Sequence, residues 1–512
     1  MAGMAERVVG GGGALDRFFR FREQRTTLWR DTVAGATTFV VMSYIIFVNP
    51  GILTSVQERD GSSLPFEAVL TSTCLVAGVL TIVMGLYTNR AFAIAPGLGL
   101  NATVTFSLVA AEGLTFAEAM GIIVMEGLLV TALVLVGMRE AVMAAIPLEL
   151  KKAIAVGIGL FIAFIGLDAS GLLVRAEPGA GPPVALADFV TWNTLIVIFG
   201  LVLTIVLRAI GFPGDLLVGI VATTVFATIV NAATGYTVYE TPAEQGWARW
   251  PGEIVSTPDF SLVGEFSFDS FATAGLLATL AFVFSLFLAD FFDTMGTLVG
   301  VGRQAGYLTE RGELPEVRKP LLVDSLAAVA GGAASSSSAT TYIESAAGVG
   351  VGGRTGWVSV VTGVLFFPFL FLSPLIGMVP RPATAPALLI VGWLMISVLS
   401  EHEEDAEEAE GRARDRADDD RDRVHPERVT RARRAFAGID FTDIALGLAA
   451  AVTIMFMPFT FSITDGIAAG FIVYVIVRLA QRRWGQVHPL MYVAAGLFAL
   501  YFLVPLLQEH VI

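Results

Sequence analysis

The chain has 512 residues, of which 55% are hydrophobic and 15% are charged, and its mean hydropathy is +0.73. Soluble globular domains are about 45–50% apolar even when glycine is counted, so this composition excludes an ordinary soluble protein. The net charge of −14 excludes an electrostatic footprint for nucleic acid. The apolar residues fall in blocks of roughly 17–25, the length that crosses a hydrocarbon core. The sequence therefore predicts an all-α polytopic membrane protein.

Fourteen apolar blocks are predicted to be transmembrane segments, and a fifteenth block is not assigned to this set. In chain order the fourteen lie near 32–53, 66–87, 91–110, 115–137, 151–174, 191–208, 213–233, 272–300, 320–336, 339–351, 356–378, 384–399, 440–458 and 463–481. The fifteenth, 490–508, is either a true span or a sign that 440–508 is divided differently. The sequence alone leaves its role open.

Positive charge predicts the orientation of the chain. Arginines crowd the N-terminal tail, and further Arg and Lys residues recur at alternate ends of the spans. By the positive-inside rule, the tail and these span ends lie in the cytoplasm. We expect a multi-pass protein of the plasma membrane with a cytoplasmic N-terminus and no cleaved signal peptide. Lysine occurs only three times while acids crowd the loops, a composition that we interpret as halophilic adaptation.

Two of the blocks, the third and the tenth, are short and interrupted: AFAIAPGLGLNATVTF (91–106) and SSSSATTYIESAAGVGVGG (335–353). Unwound backbone at membrane depth is tolerated only where it is buried in protein or lines a cavity. Two such segments at corresponding positions of two halves are the best sequence indication of a transporter binding site. The segments 146–162 and 379–395 match at Pro147 with Pro380 and at Gly159 with Gly392. Seven spans per copy make this an inverted repeat.

Five acidic residues lie in the middle of predicted spans. Even on lenient scales an acid at a helix centre costs about 2.5–3.5 kcal/mol, so such residues mark ion or substrate pathways. They are Glu126, Asp290, Asp293, Asp324 and Glu344. For Glu126 and Asp324 a structural role, paired with backbone or with Ser and Thr, is an equal alternative.

Asp290 and Asp293 share one helix face, since they stand at i and i+3, and aromatic residues flank them. A flat heteroaromatic ligand needs rings to stack on and acceptors for its N–H groups. Glu344 follows Thr341 in the tenth segment, where backbone groups that are not used in a helix could contact the rest of the ligand's edge. Asn101 is either a substrate contact or the N-cap of a half-helix. The sole cysteine, Cys74, and the four scattered histidines predict no disulfide, no metal site and no cofactor.

Six runs carry a family resemblance: TTFVVMSYIIFVNPGIL (37–53), APGLGLNA (95–102), IPLELKKAIAVGIGLFIAFIGL (146–167), DFFDTMGTLVGVG (290–302), TTYIESAAGVGVGGRTG (340–356) and MPFTFSITDGIAAGF (457–471). With them the sequence resembles the adenine/guanine/hypoxanthine permease branch (AzgA-like) of the nucleobase–cation symporter-2 (xanthine/uracil permease) family. The run SSSSATTYIES departs from that pattern, because relatives usually carry Gly-Thr-Ser before the threonines.

The resemblance implies fourteen transmembrane segments in two inverted seven-span repeats, with a core domain and a gate domain. In domain terms it implies a cytoplasmic tail (1–30), core (31–137), gate (138–235), an extracellular loop (236–268), core (269–378), gate (379–400), an acidic cytoplasmic loop (401–436) and gate (437–512). It also implies a site between the short strands of segments 3 and 10, with substrate-binding residues Asp293, Glu344, Asn101 and Thr341.

The implied function is secondary active import of purine nucleobases (hypoxanthine, adenine or guanine) by proton symport and alternating access, not enzymatic catalysis. The proton-coupling candidates are Asp290, Asp293 and Glu344. The alternatives are a uracil/xanthine-type symporter of the same fold and coupling to sodium instead of protons. The expected partners are the purine base, the proton and the lipid bilayer, and a homodimer is left open.

Overall fold

The computed structural model describes residues 14–137, 145–175, 184–239, 246–309, 314–397, 439 and 441–510, with the backbone alone for 504–510. The acidic loop predicted at 401–436, and the part of the predicted tail before residue 14, therefore lie outside the described residues. The predictions for those two segments stay predictions.

The first half of the chain contains nine helices and three strands among the described residues. They are α1 Ala14–Phe19, α2 Leu28–Met42, α3 Ile45–Leu53, α4 Phe66–Thr88, β1 Ile94–Pro96, α5 Leu98–Ala102 continuing as a π-helix Thr103–Ala111, α6 Phe116–Val136, α7 Leu148–Ala169, β2 Leu173–Arg175, β3 Val184–Leu186, α8 Trp192–Ala209 and α9 Asp215–Ala233.

The second half repeats this pattern and then extends it. Its elements are α10 Ser270–Thr273, α11 Leu276–Gln304, α12 Arg318–Ala333, β4 Ala339–Thr341, α13 Ser345–Gly350, α14 Gly356–Phe366 continuing as a 3₁₀ helix Phe367–Phe371, α15 Ser373–Gly377, α16 Arg381–Ser397, α17 Ile444–Thr460, α18 Ile463–Ala480, a 3₁₀ turn Trp484–Gln486 and α19 Pro489–His510.

Eight helical segments of the described chain are long and apolar enough to cross a membrane: Leu28–Leu53, Phe66–Thr88, Phe116–Val136, Leu148–Ala169, Trp192–Ala209, Asp215–Ala233, Leu276–Gln304 and Ile463–Ala480. Five shorter apolar helices accompany them: Leu98–Ala111, Gly356–Phe371, Arg381–Ser397, Ile444–Thr460 and Pro489–Leu503. Together with α12 and the half-helix α13, these helices correspond to the fifteen apolar blocks of the sequence.

The glycines matched by the internal repeat are in contact. A Cβ built on Gly159 in α7 would lie 2.7 Å from the backbone oxygen of Gly392 in α16, and a Cβ on Gly392 would lie 2.5 Å from the oxygen of Gly159. Only residues without a side chain allow two helix backbones to approach this closely. The repeat read from Pro147/Pro380 and Gly159/Gly392 thus places equivalent helices against each other.

Glycines also bring α4 and α14 together. A Cβ on Gly356 would lie 1.9 Å from the oxygen of Gly85, and a Cβ on Gly363 would lie 2.5 Å from the oxygen of Gly78. Packing between transmembrane helices relies on such close backbone contact, because lipid offers no hydrophobic driving force between helices.

Substituting Gly356 with alanine should therefore destabilise the protein by about 1–3 kcal/mol, the usual cost of overpacking. The measurement is the thermal unfolding midpoint of the detergent-solubilised protein. Gly496→Ala in α19 is the matched control, because nothing lies within 4 Å of a Cβ at that position. Equal midpoints for the two variants would contradict the predicted role of the α4–α14 contact.

Hydrogen bonds at the ends of the helices identify the two opposite faces of the helical layer. The amide of Asn89, just after α4, donates to the backbone oxygen of Phe19 in α1, so this end of α4 lies with α1 on what we call the α1 face. Glu112, which follows the π-helix, lies with Ala117 and the 246–268 segment on the opposite face, since the Ser267 amide donates to the Ala117 oxygen.

The block left open by the sequence, 490–508, contains the helix α19, which packs antiparallel along α18. Near its start, Val487 follows a turn in which the Gln486 oxygen accepts from Tyr474, in the second half of α18. Near its end, the Tyr501 hydroxyl lies 3.5 Å from Asp465, at the beginning of α18, and 3.3 Å from Glu112. Because α19 runs from the α1 face to the opposite face, it crosses the same layer as the other helices.

Candidate substrate site

The two broken segments meet as a pair of short antiparallel strands in the interior. Strands β1 and β4 pair with Ile94 opposite Thr341, Ala95 opposite Thr340 and Pro96 opposite Ala339. All six residues are buried. Pairing gives the extended backbone the hydrogen bonds it cannot obtain from lipid, which explains how non-helical segments persist at this depth. The predicted short strands of segments 3 and 10 are confirmed.

Each strand leads directly into a half-helix. The Gly97 amide donates to Ser338 and the Tyr342 amide donates to Ala93, which extends the pairing by one residue at either end. The Tyr342 hydroxyl also donates to the Pro96 oxygen across the pair. The serine run before β4 folds as a tight turn in which Ser335 and Ser337 have φ of 53° and 72°, a region that usually favours glycine.

Asp293 is the accessible acid of this region. It lies on α11 and is exposed, and Gly296 and Gly300, one and two turns further on, are exposed as well. No atom lies within 4 Å of a Cβ built on Gly296. Since α11 ends at Gln304 near the α1 face, this open stripe leads from Asp293 towards that face. A charged side chain in the middle of the longest described span thus lies on a surface that no other part of the described chain covers.

Glu344 lies on the facing segment, close enough to Asp293 for the two carboxyls to interact electrostatically. Glu344 is half-buried and stands at the start of α13. It accepts a hydrogen bond of 2.7 Å from the hydroxyl of Tyr44, which lies at the break between α2 and α3. Together, Asp293 and Glu344 present two acceptors beside the strand pair.

Asn101 lies one turn into α5 with no exposed surface, and neither atom of its side-chain amide has a hydrogen-bond partner in the described structure. The N-cap of α5 is Gly97, and the Asn101 backbone amide donates to the Gly97 oxygen. The alternative that Asn101 caps the half-helix is therefore wrong. An unsatisfied buried amide next to the strand pair is costly and calls for a partner.

Thr341 occupies β4, but its side chain is already engaged. Its hydroxyl and its backbone amide donate to one oxygen of Asp324 at 2.6 and 2.7 Å, while the other oxygen accepts from Thr294 at 2.6 Å. Asp324 thus fastens β4 to α11 and α12, and these contacts match the structural role that was one of its two predicted roles. Thr341 lies at the site, but its hydroxyl points to Asp324.

Asp290 and Glu126 lie behind the strand pair with no exposed surface. One oxygen of Glu126 accepts from Ser338 at 3.4 Å. Its other oxygen and both oxygens of Asp290 receive no hydrogen bond. Of the predicted acids, Asp293 and Glu344 are therefore the pair that a ligand could reach, whereas Asp290 is enclosed.

The sequence did not single out Tyr44 or the corner between α8 and α9. Arg208 and Asp215 form an ion pair of 2.5 Å at that corner and lie near enough to Glu344 to influence it. A Cβ on Gly214 would lie 2.4 Å from Val40, one helical turn before Tyr44. The only sequence signal for Tyr44 was its place in the resembling run 37–53, and none marked the corner.

The family model for xanthine and uracil permeases, described as a permease family, matches residues 30–412. The chain belongs to this permease family.

Relatives along nearly the full length agree with this assignment. A putative permease of Methanocaldococcus jannaschii is 37% identical over 95% of this chain and 98% of the relative. The adenine permease AdeQ of Escherichia coli is 36% identical over 95% and 96%, and the guanine/hypoxanthine permease PbuG of Bacillus subtilis is 34% identical over 96% and 99%. All three are permeases rather than enzymes, as the sequence predicted.

Solved structures establish the architecture of this permease. The transmembrane domain of the cyanobacterial bicarbonate transporter BicA matches with a TM-score of 0.52 at 18% identity, over 72% of this chain and 88% of that one. The murine anion transporter Slc26a9 matches with a TM-score of 0.57 at 10% identity, over 88% and 68%. At such identities the likeness shows the fold alone. It confirms fourteen segments in 7+7 inverted repeats, with core and gate domains.

Proposed function

We propose that this permease imports purine nucleobases in symport with protons by alternating access. The observation that carries the proposal is the juxtaposition of accessible Asp293 and half-buried Glu344 beside the paired strands. A purine presents several N–H donors along its edge, and two carboxyl groups on facing segments are acceptors for them. The curated relatives named for adenine and for guanine and hypoxanthine support the same class of cargo.

The remaining contacts of the base would come from the half-helix α5. The unpartnered amide of Asn101 can both donate and accept, which suits the mixed edge of a purine. In this proposal the base lies between the core, which carries Asp293, Glu344 and Asn101, and the gate, which carries the Arg208–Asp215 corner. Thr341 lies beside the base in this proposal but offers it no donor, since its hydroxyl and its backbone amide are both held by Asp324.

Orientation and location follow from the charge pattern. We infer that the α1 face is cytoplasmic and that the membrane is the plasma membrane, because the N-terminal arginines lie on the side of α1. On this basis the exposed stripe from Asp293 to Gly300 opens to the cytoplasm. The domain boundaries predicted at 137, 235, 268 and 378 remain part of this proposal.

A competition assay tests the cargo. In proteoliposomes, uptake of radiolabelled hypoxanthine should fall by at least about 10-fold with excess unlabelled adenine, guanine or hypoxanthine, and should be nearly unaffected by uracil. The expectation follows because a single-ring base offers fewer hydrogen-bonding groups than a purine to a site with two carboxyls and an amide. Competition by uracil alone would instead support the uracil/xanthine alternative.

The coupling ion is tested in the same vesicles. Uptake should collapse when a protonophore dissipates the proton gradient and should continue when sodium is replaced by potassium. Uptake that survives the protonophore but needs sodium would assign the sodium alternative.

A further inference from the structure

Behind the substrate carboxyls lies a second pair of acids, Glu126 on α6 and Asp290 on α11, both without exposed surface. Their carboxyl groups lie within hydrogen-bonding reach of each other. Both oxygens of Asp290 and one oxygen of Glu126 receive no hydrogen bond from any donor in the described structure. These oxygens are thus fully buried polar atoms that lack a hydrogen-bond donor.

The surroundings of this pair supply no cation among the described groups that act on it. From α12 the facing charged group is Asp324, from α11 it is Asp293, and the β4 segment contributes the hydroxyls of Ser338 and Thr340. Two bare carboxylates cannot be buried side by side without a counter-charge, since each would cost several kcal/mol. A proton shared between two carboxyl oxygens satisfies such a pair, as it does in carboxylic dyads elsewhere.

Two hydroxyls connect this pair to Asp324, the acid that holds β4. The Thr340 hydroxyl lies beside Asp290 and is hydrogen-bonded to Thr294 at 2.7 Å. Thr294 in turn bonds to Asp324 at 2.6 Å. Asp290 also stands one helical turn from Asp293 on α11, so a change of charge at the pair acts directly on the acid that faces the base.

Asp324 differs from the pair in its contacts. It accepts hydrogen bonds from Thr294 and from both the amide and the hydroxyl of Thr341, so its two oxygens are satisfied as a carboxylate. The orphaned oxygens are confined to Glu126 and Asp290 within this group of three acids.

We propose that the Glu126–Asp290 pair holds the proton that moves with the substrate, separately from Asp293 and Glu344, which hold the base. The inference rests on the proposed function and adds Glu126, which is not among the coupling candidates predicted from the sequence. The proton arrives from water on one face, resides between the two carboxyl oxygens, and leaves to water on the other face. No covalent bond other than O–H forms or breaks.

The test separates exchange from accumulation in Glu126→Gln. Proteoliposomes containing the full chain are assayed for exchange of radiolabelled hypoxanthine against unlabelled hypoxanthine without a gradient, and for uphill uptake driven by an imposed proton gradient. We expect exchange to stay within about 3-fold of wild type and to lose its pH dependence, while uphill uptake falls at least about 30-fold, and Asp290→Asn should behave alike.

Glu118→Gln is the matched control on the same helix. Glu118 is also buried, but it closes the capping box at the start of α6 with Thr115, and glutamine preserves that arrangement. It should retain both activities. The infrared band of a protonated carboxyl provides a second readout in the wild-type protein. It should be present in the absence of substrate and change when a proton gradient is imposed with substrate.

Each other outcome overturns the proposal. Proton-driven accumulation in Glu126→Gln would remove this residue from coupling, and loss of exchange together with accumulation would assign it to base binding or folding. Should the variants not fold, a wild-type spectrum without the protonated-carboxyl band overturns the proposal by itself. If wild type exchanges nucleobase but accumulates it only with sodium, the proton site fails while nucleobase transport stands. If wild type exchanges no nucleobase, the proposed function fails first.

Discussion

Replacing Asp293 by asparagine should reduce nucleobase uptake by about 100-fold or more while the protein still inserts and folds. Asp293 is the exposed acid of the site and lies beside Glu344. Asparagine keeps one acceptor oxygen but loses the negative charge, and its NH₂ group replaces the second acceptor, so the charge-assisted contact with the N–H donors of the base is lost. Losing a charged hydrogen bond in a desolvated site costs about 3 kcal/mol, which corresponds to roughly 100-fold.

The measurement is initial uptake of radiolabelled hypoxanthine, normalised to the amount of transporter in the membrane. Asp60→Asn is the matched control, since Asp60 lies on the exposed loop between α3 and α4 and hydrogen-bonds only locally to Ser62. Wild-type uptake by Asp293→Asn would remove Asp293 from the site and with it the observation on which the proposed function depends.

Replacing Glu344 by glutamine should have a comparable effect, and removing its partner should have a smaller one. Glutamine loses the charge that faces the base, so we expect a loss of about 100-fold. Tyr44→Phe removes only the 2.7 Å hydrogen bond that orients Glu344. One hydrogen bond to a charged group contributes about 1.5–3 kcal/mol, so uptake by Tyr44→Phe should fall by roughly 10- to 100-fold, with the apparent KM rising more than the maximal rate falls.

Tyr87→Phe is the control for the loss of a hydroxyl, because Tyr87 is half exposed on α4, away from the strand pair. Binding of hypoxanthine to the detergent-solubilised variants gives a readout that does not depend on transport. A graded order, with Tyr44→Phe between wild type and Glu344→Gln, supports the positioning role of Tyr44. Unchanged binding in Glu344→Gln would contradict the assignment of Glu344.

The architecture could be predicted from the sequence because membrane spans are local features. Every backbone polar group in lipid must be satisfied within its own helix or by a buried partner, so span length and interruption are visible in single segments. The breaks at Pro96 and Gly97 therefore marked β1, and the match of Gly159 with Gly392 marked two helices that touch. The place of α19 could not be predicted in this way, since the sequence of an apolar block does not indicate which helices it packs against.

The sequence predicted only those site residues whose position in the middle of a span makes their charge costly to bury. Asp293 and Glu344 stood out because acids at mid-span are expensive, and they lie together in the structure. Which side of β4 carries the Thr341 hydroxyl depends on a strand register with a distant segment, and that register turns it to Asp324. Tyr44 lies 300 positions before Glu344, and an ordinary tyrosine in an apolar run gives no indication of such a partner.

The course of α19 has a consequence for experiments on helices α1 and α19, the first and last helices of the described chain. Phe19 lies beside Asn89 on the α1 face, whereas Tyr501 lies beside Glu112 on the opposite face. Residues 14 and 503 consequently lie on opposite faces of the helical layer. A reporter fused near one of them and a reporter fused near the other would sample different aqueous compartments, so a single reagent that cannot permeate lipid would distinguish them.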